Sequence, residues 1–118
     1  MRNFKELEVW ELGKYLAIQT YNQTKSMPKE EMYGLTSQMR RAAISIPSNI
    51  AEGCSRSSNK EFVRFLEIAI GSSFELKTQL IISAELEFLD GEKVESIQES
   101  INQLQKKINS FIKSVKKF

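Results

Sequence analysis

From Val94 to the last residue, apolar side chains recur at alternating steps of three and four: Val94, Ile97, Ile101, Leu104, Ile108, Phe111, Val115 and Phe118. A seam of this kind is one face of a long α-helix packed along its whole length, and it leaves no room for a strand or a loop. Glu92, Glu95 and Glu99 stand at its start, and Lys106, Lys107, Lys113, Lys116 and Lys117 at its end. These charges complement the helix dipole at both ends, so a helix is expected over about residues 92–116. Asp90-Gly91 is the turn before it.

Such a helix needs partners, and the rest of the chain supplies three. The first is expected over about residues 4–25, with Trp10, Ala17 and Tyr21 on one line and Val9, Leu12 and Leu16 beside it. Ser26-Met27-Pro28 stops it, because proline lacks the N–H and biases the preceding residue away from the α region. Lys29 to Gly34 forms at most one short turn. The second helix, about 35–52, sets Leu35, Met39, Ala42, Ala43, Ile46 and Ile50 on its core face. Pro47 lies inside this pattern and is expected to kink the helix without ending it.

Gly53 is placed to end the second helix in the left-handed conformation, and Ser58-Asn59-Lys60-Glu61 has the spacing of a capping box. The third helix is therefore expected over about 58–88. Phe62, Phe65, Leu66, Ala69, Ser73, Leu76, Leu80 and Ala84 make one face, flanked by Val63, Ile70, Phe74 and Ile81. That arc is wider than the ~100° stripe a surface helix of a monomer needs, which points to a second subunit. The small residues Ala69, Gly71, Ser72 and Ser73 cost helix propensity, and close approach of a neighbouring backbone would offset that; the alternative is a weak point without a role.

With 118 residues, 5 Gly and 2 Pro, the chain fits one helix-rich domain with few turns. The expected fold is all-α, an antiparallel up-down four-helix bundle spanning residues 1–118, assembling into a ring-like homo-oligomer.

Chemistry is constrained mainly by absences from the sequence. There is no histidine, so the commonest general base and every Ser-His or Cys-His pair are missing. The single Cys54 cannot form an internal disulfide, and the usual zinc ligand sets are not available. No apolar run of ~18 residues offers a membrane span, and acidic residues interrupt the N-terminal stretch where a leader would be apolar. The expectation is a cytoplasmic protein that is not an enzyme, with no cofactor, metal or small-molecule substrate and no membrane partner.

Net charge is only +2, so nucleic-acid binding can be argued from clustering alone. Arg40, Arg41, Arg56, Lys60 and Arg64 gather in sequence around the junction of the second and third helices. Guanidinium forks suit phosphate, and the free amides opening the third helix also favour an anion. Glu52, Glu61 and Glu67 interleave with them, so ion pairing within or between subunits is the competing reading. Arg41, Ser45, Asn49 and Glu52 form a polar stripe with no evident nucleophile and base, a pattern that more often fixes helix register. The basic tail, Lys106 to Lys117, reads either as a patch for RNA or as a solvated helix end.

The stretches FKELEVWELGKYLA, RRAAISIPSNIAEGCSR and FVRFLEIAIGSSFEL, with the heptad helix after them, resemble the four helix bundle protein family, also called the 23S rRNA-intervening sequence proteins. The resemblance covers nearly the whole chain. It implies an antiparallel four-helix bundle forming a homopentamer, encoded in some bacteria within intervening sequences of the large ribosomal RNA gene. A more distant relative is the nucleic-acid-binding accessory protein of diversity-generating retroelements, which partners a reverse transcriptase. By that analogy the chain is an RNA- or DNA-binding scaffold, with a purely structural or protein-interaction oligomer as the alternative and an accessory subunit of a reverse transcriptase as a remote one.

Overall fold

The computed structural model describes residues 2–117. Four helices carry the fold: α1 (Glu8–Gln23), α2 (Leu35–Cys54), α3 (Asn59–Glu85) and α4 (Gly91–Lys116), with no strand among the described residues. Each helix packs on its chain neighbour and α1 closes against α4. Paired side chains fix the directions. Ser45 meets Ser72 and Gln38 meets Gln79 as α2 advances and α3 returns. Glu8 reaches Lys107 and Gln19 reaches Ser96 across α1 and α4. Gln105 meets Ser73, and Phe111 meets Phe62, across α3 and α4. Every neighbouring pair is thus antiparallel, in a body 46 × 23 × 19 Å.

The core follows the periodicity of the sequence. Met39, Ile46 and Ile50 of α2, Phe62, Leu66, Leu76 and Leu80 of α3, and Ile97, Ile101, Leu104 and Ile108 of α4 are fully buried, each contributing ~1.5–3 kcal/mol of transfer free energy. The seam of α4 shifts after Ile108. Ile112 is buried in place of Phe111, because a straight helix drifts from a strict seven-residue repeat. Phe111 is half-buried and turns its ring edge-to-face onto Phe62 at 5.6 Å. Phe118, placed in the seam from sequence, lies outside the described residues.

The first helix is not continuous from residue 4. Phe4–Glu6 is a single 3-10 turn, capped by Asn3 accepting from the Lys5 amide, and Leu7 is extended before α1 begins. Phe4 packs edge-on against Trp10 at 5.0 Å, so the entry segment folds back along the bundle. The Arg2 amide then donates to the Cys54 carbonyl at 3.1 Å, strapping the N-terminus across the end of α2.

Between α1 and α2, Thr24–Ser26 and Lys29–Glu31 form 3-10 turns on either side of extended Met27. Glu31 caps α2 by accepting from the Leu35 amide at 3.1 Å. α2 runs through Pro47 without a break, as its apolar pattern requires, and Gly13 of α1 packs against the proline ring. Ser58 caps α3, accepting from the Glu61 amide at 3.1 Å.

Two expected helix ends are corrected. Gly53 is not left-handed; it lies within the last turn of α2. A Cβ there would stand 2.9 Å from both Phe62 Cδ1 and Phe65 Cβ, so the absence of a side chain serves close packing of α3. The left-handed residue is Glu87, with φ 62°, in a Schellman cap that ends α3 at Glu85 instead of near Phe88. There the Glu87 amide donates to the Ala84 carbonyl and the Phe88 amide to the Ser83 carbonyl.

Candidate nucleic-acid interface

The chain reversals separate the five basic residues that stand close in sequence. Arg40 and Arg41 sit about 20 Å along α2 from its C-terminal end, at 1.5 Å per residue. Arg40 is occupied by packing: Nε donates to Thr24 Oγ1 at 3.1 Å, an Nη to the Tyr21 carbonyl at 3.4 Å, and the guanidinium lies 4.7 Å from the Tyr21 ring centre. It satisfies and charge-stabilises the C-terminal end of α1. Arg41 is exposed, 4.0 Å from Glu75 of α3.

At the α2–α3 turn, Arg56 pairs with Glu52 at 3.0 Å and its guanidinium lies 4.8 Å from the Phe65 ring centre. Lys60 and Arg64 are exposed and make no ion pair within 4.0 Å among the described residues. The polar stripe is an inter-helix ladder. Asn49 donates through Nδ2 to the Ser45 carbonyl at 2.8 Å and to Ser45 Oγ at 2.9 Å, and Ser45 Oγ lies 2.8 Å from Ser72 Oγ. Arg41 reaches Glu75 and Glu52 pairs with Arg56, so every member of the stripe has a protein partner, and the Ser45–Ser72 and Arg41–Glu75 contacts link α2 to α3.

Cys54 is buried, and loss of hydration pushes its thiol above the usual range although Arg2 draws it partly back. It is a packed side chain with little thiolate character. Among the described residues no group of three or more His, Cys, Asp or Glu could hold a metal ion. Among the described residues no helix is long and apolar enough to cross a membrane.

What the linear reading did not bring together is the far end of α4. Antiparallel packing lays its C-terminal half beside the first turns of α3, so Lys116 lines a groove with Lys60 and Arg64, and Lys113 lines its continuation. One stretch of about 650 Å³ is lined by Lys60, Glu61, Val63, Arg64, Val115 and Lys116, and the next, about 400 Å³, continues along Ile70, Ile112 and Lys113. Glu67 and Lys116 line both stretches. The alternation of acidic start and basic end in α4 was visible in the sequence; that the basic end meets α3's arginine was not, because it depends on helix direction.

The same topology sorts charge along the long axis. The end where α3 closes onto α4 holds Glu85, Glu87, Asp90, Glu92, Glu95 and Glu99 against Lys93 within residues 85–99. At the other end, residues 104–117 hold Lys106, Lys107, Lys113, Lys116 and Lys117 and no carboxylate; Arg2, Lys5, Arg56, Lys60 and Arg64 join them there, against Glu6, Glu8, Glu52, Glu61 and Glu67, so cations remain in excess. A nearly neutral chain thus presents one acidic and one basic end.

Residues 5–110 match the family described as 23S rRNA-intervening sequence protein. The chain belongs to the 23S rRNA-intervening sequence protein family. A solved structure similar to this family member is a protein of unknown function from the S23 ribosomal protein family of Bacteroides thetaiotaomicron VPI-5482. It superimposes with a TM-score of 0.82 at 25% identity, covering 89% of this chain and 98% of that one. No curated protein matches the chain.

Proposed function

We propose that the protein is a non-enzymatic, self-associating cytoplasmic scaffold that binds RNA or another nucleic acid through its basic end. The observation that carries this reading is the charge sorting along the bundle. A polyanion is attracted by the local field of an end whose cations outnumber its carboxylates, whatever the net charge. The lack of histidine and the buried, protonated Cys54 argue against an enzyme.

Self-association is supported by apolar surface on α3 and its C-cap that the single chain leaves in solvent. Phe74 is 57% and Leu86 54% exposed, and Ile68, Ile81 and Ile82 are exposed beside them. Gly71 lies among these residues with nothing within 4 Å of a Cβ placed on it, so no contact inside the chain accounts for a helix-weakening glycine there. A neighbouring subunit packed on this face would account for it, and the proposed assembly is a ring-like homo-oligomer, a pentamer by family resemblance.

The second reading is a structural oligomer without nucleic-acid affinity, favoured by the intramolecular partners of Arg40, Arg41 and Arg56. Binding of purified protein to structured RNA across a salt series separates the two. Affinity at low salt that falls steeply as salt rises is the expected result; no binding at low salt would leave only the structural oligomer. Light scattering tests assembly, where a stable monomer would refute it.

A further inference from the structure

We infer that the seat of nucleic-acid binding is the groove between the first half of α3 and the second half of α4, and that it holds a single strand by its phosphodiester backbone. The inference rests on the nucleic-acid reading above and narrows it to one surface. Three observations carry it. Lys60 and Arg64 stand on one wall, Lys113 and Lys116 on the other, and none of the four has an ion-pair partner within 4.0 Å among the described residues. Outside the groove Arg40 is held by α1, Arg41 and Arg56 by carboxylates, and Lys107 by Glu8 at 3.3 Å, whereas Lys5, Lys25, Lys29, Lys106 and Lys117 are without an ion pair among the described residues but do not line the groove. What distinguishes the groove is that cations without ion-pair partners line it from both helices, where one phosphate chain can meet them.

Shape selects a strand over a duplex. Neighbouring helix axes lie about 8–10 Å apart, so the furrow between two of them is narrower still and admits an extended strand but not a duplex. Opposed cations on the two walls neutralise a strand's phosphates from both sides. The floor is Val63, Ile70, Ile112 and Val115, aliphatic and, apart from half-buried Ile70, buried, so it offers bases no stacking platform. Recognition is therefore of backbone, with little sequence preference. Glu61 in the first stretch and Glu67 at the join of the two oppose the strand and limit affinity.

The test is oligouridylate binding by the full chain, followed by fluorescence anisotropy from 50 to 200 mM salt. Four neutralised phosphates on a single strand give a log–log salt slope of about −3, hence a loss of roughly 50-fold in affinity over that range. The variant Lys60→Gln/Arg64→Gln/Lys113→Gln/Lys116→Gln, all at exposed positions, is expected to keep its helical circular dichroism, lose at least about tenfold in affinity at 50 mM salt and flatten the slope towards zero. Glu67→Gln, which a merely damaged surface could not mimic, is expected to tighten binding severalfold. Lys25→Gln/Lys29→Gln/Lys93→Gln at the acidic end is expected to change affinity less than twofold.

If the wild-type chain binds and the four-fold groove variant binds equally well, the groove assignment is overturned while the nucleic-acid reading stands. An equal loss in the acidic-end variant shows a net-charge effect and also overturns it. So does tighter binding of a duplex of the same length, or displacement of the strand by polyglutamate of equal charge. No binding by the wild-type chain at 50 mM salt sinks both readings together.

Discussion

Gly53 of α2 and Phe62 of α3 are packed so closely that a Cβ on the glycine would stand 2.9 Å from the phenyl Cδ1. The same Cβ would stand 2.9 Å from Phe65 Cβ, an atom fixed to the α3 backbone that cannot swing aside. Phe62 is itself fully buried, overlain by the Arg2 guanidinium at 4.3 Å and met edge-on by Phe111. Gly53→Ala gains ~1 kcal/mol of helix propensity but incurs ~1–3 kcal/mol of overpacking. The expected result is a net loss of about 1 kcal/mol in urea denaturation. A variant as stable as the parent would show that the α2–α3 contact is looser than described.

Gly71→Ala makes the opposite prediction. Position 71 has open space around it within the chain, so alanine adds propensity without a clash, up to ~1 kcal/mol. If another subunit packs on this face, the added methyl is felt there instead, and the assembly weakens while the fold gains. Denaturation read together with light scattering at several protein concentrations distinguishes the two effects. A more stable fold with unchanged assembly would remove Gly71 from the interface.

Periodic features were legible because they depend on residues a few positions apart. The buried faces of α2 and α3, the passage of α2 through Pro47 and the Ser58 cap all follow from local spacing. Gly53 was misassigned because glycine at a helix end satisfies two demands, a left-handed backbone and close approach, and only the position of Phe62 decides between them. The basic cluster was read along the chain, where Arg40 and Arg41 adjoin the turn; in space α1 takes Arg40, and α4 brings Lys113 and Lys116 from some fifty residues away. Helix direction made that difference, and it is set by which short turns reverse the chain.

The Glu87 cap stores a removable cost. Its φ of 62° places a Cβ-bearing residue where glycine is at home, at ~1–2 kcal/mol. The Schellman bonds from the Glu87 and Phe88 amides depend on the backbone and not on the carboxylate. Glu87→Gly is therefore expected to raise stability by about 1 kcal/mol, less the entropy glycine adds to the unfolded chain. It also removes one carboxylate from the acidic end, so melting should be compared at low and high salt. A gain that persists in high salt is conformational; one that vanishes would mean the carboxylate's repulsion was the larger effect.

Arg40 separates packing from binding. Its fork spans Thr24 Oγ1 and the Tyr21 carbonyl and covers the Tyr21 ring, contacts that tie the end of α1 to α2. Arg40→Ala leaves those groups without a partner and removes a cation from the negative end of a helix, a loss of about 1–3 kcal/mol. Arg40→Lys should recover little of it, since an ammonium cannot reproduce the planar fork or lie over the ring in the same way. RNA affinity, measured below the melting transition of each variant, should stay within about twofold of the parent, because the guanidinium is already engaged by α1. A large fall in affinity with unchanged stability would mean that Arg40 leaves α1 to meet a phosphate, and would move the nucleic-acid surface from the α3/α4 groove to the outer face of α2.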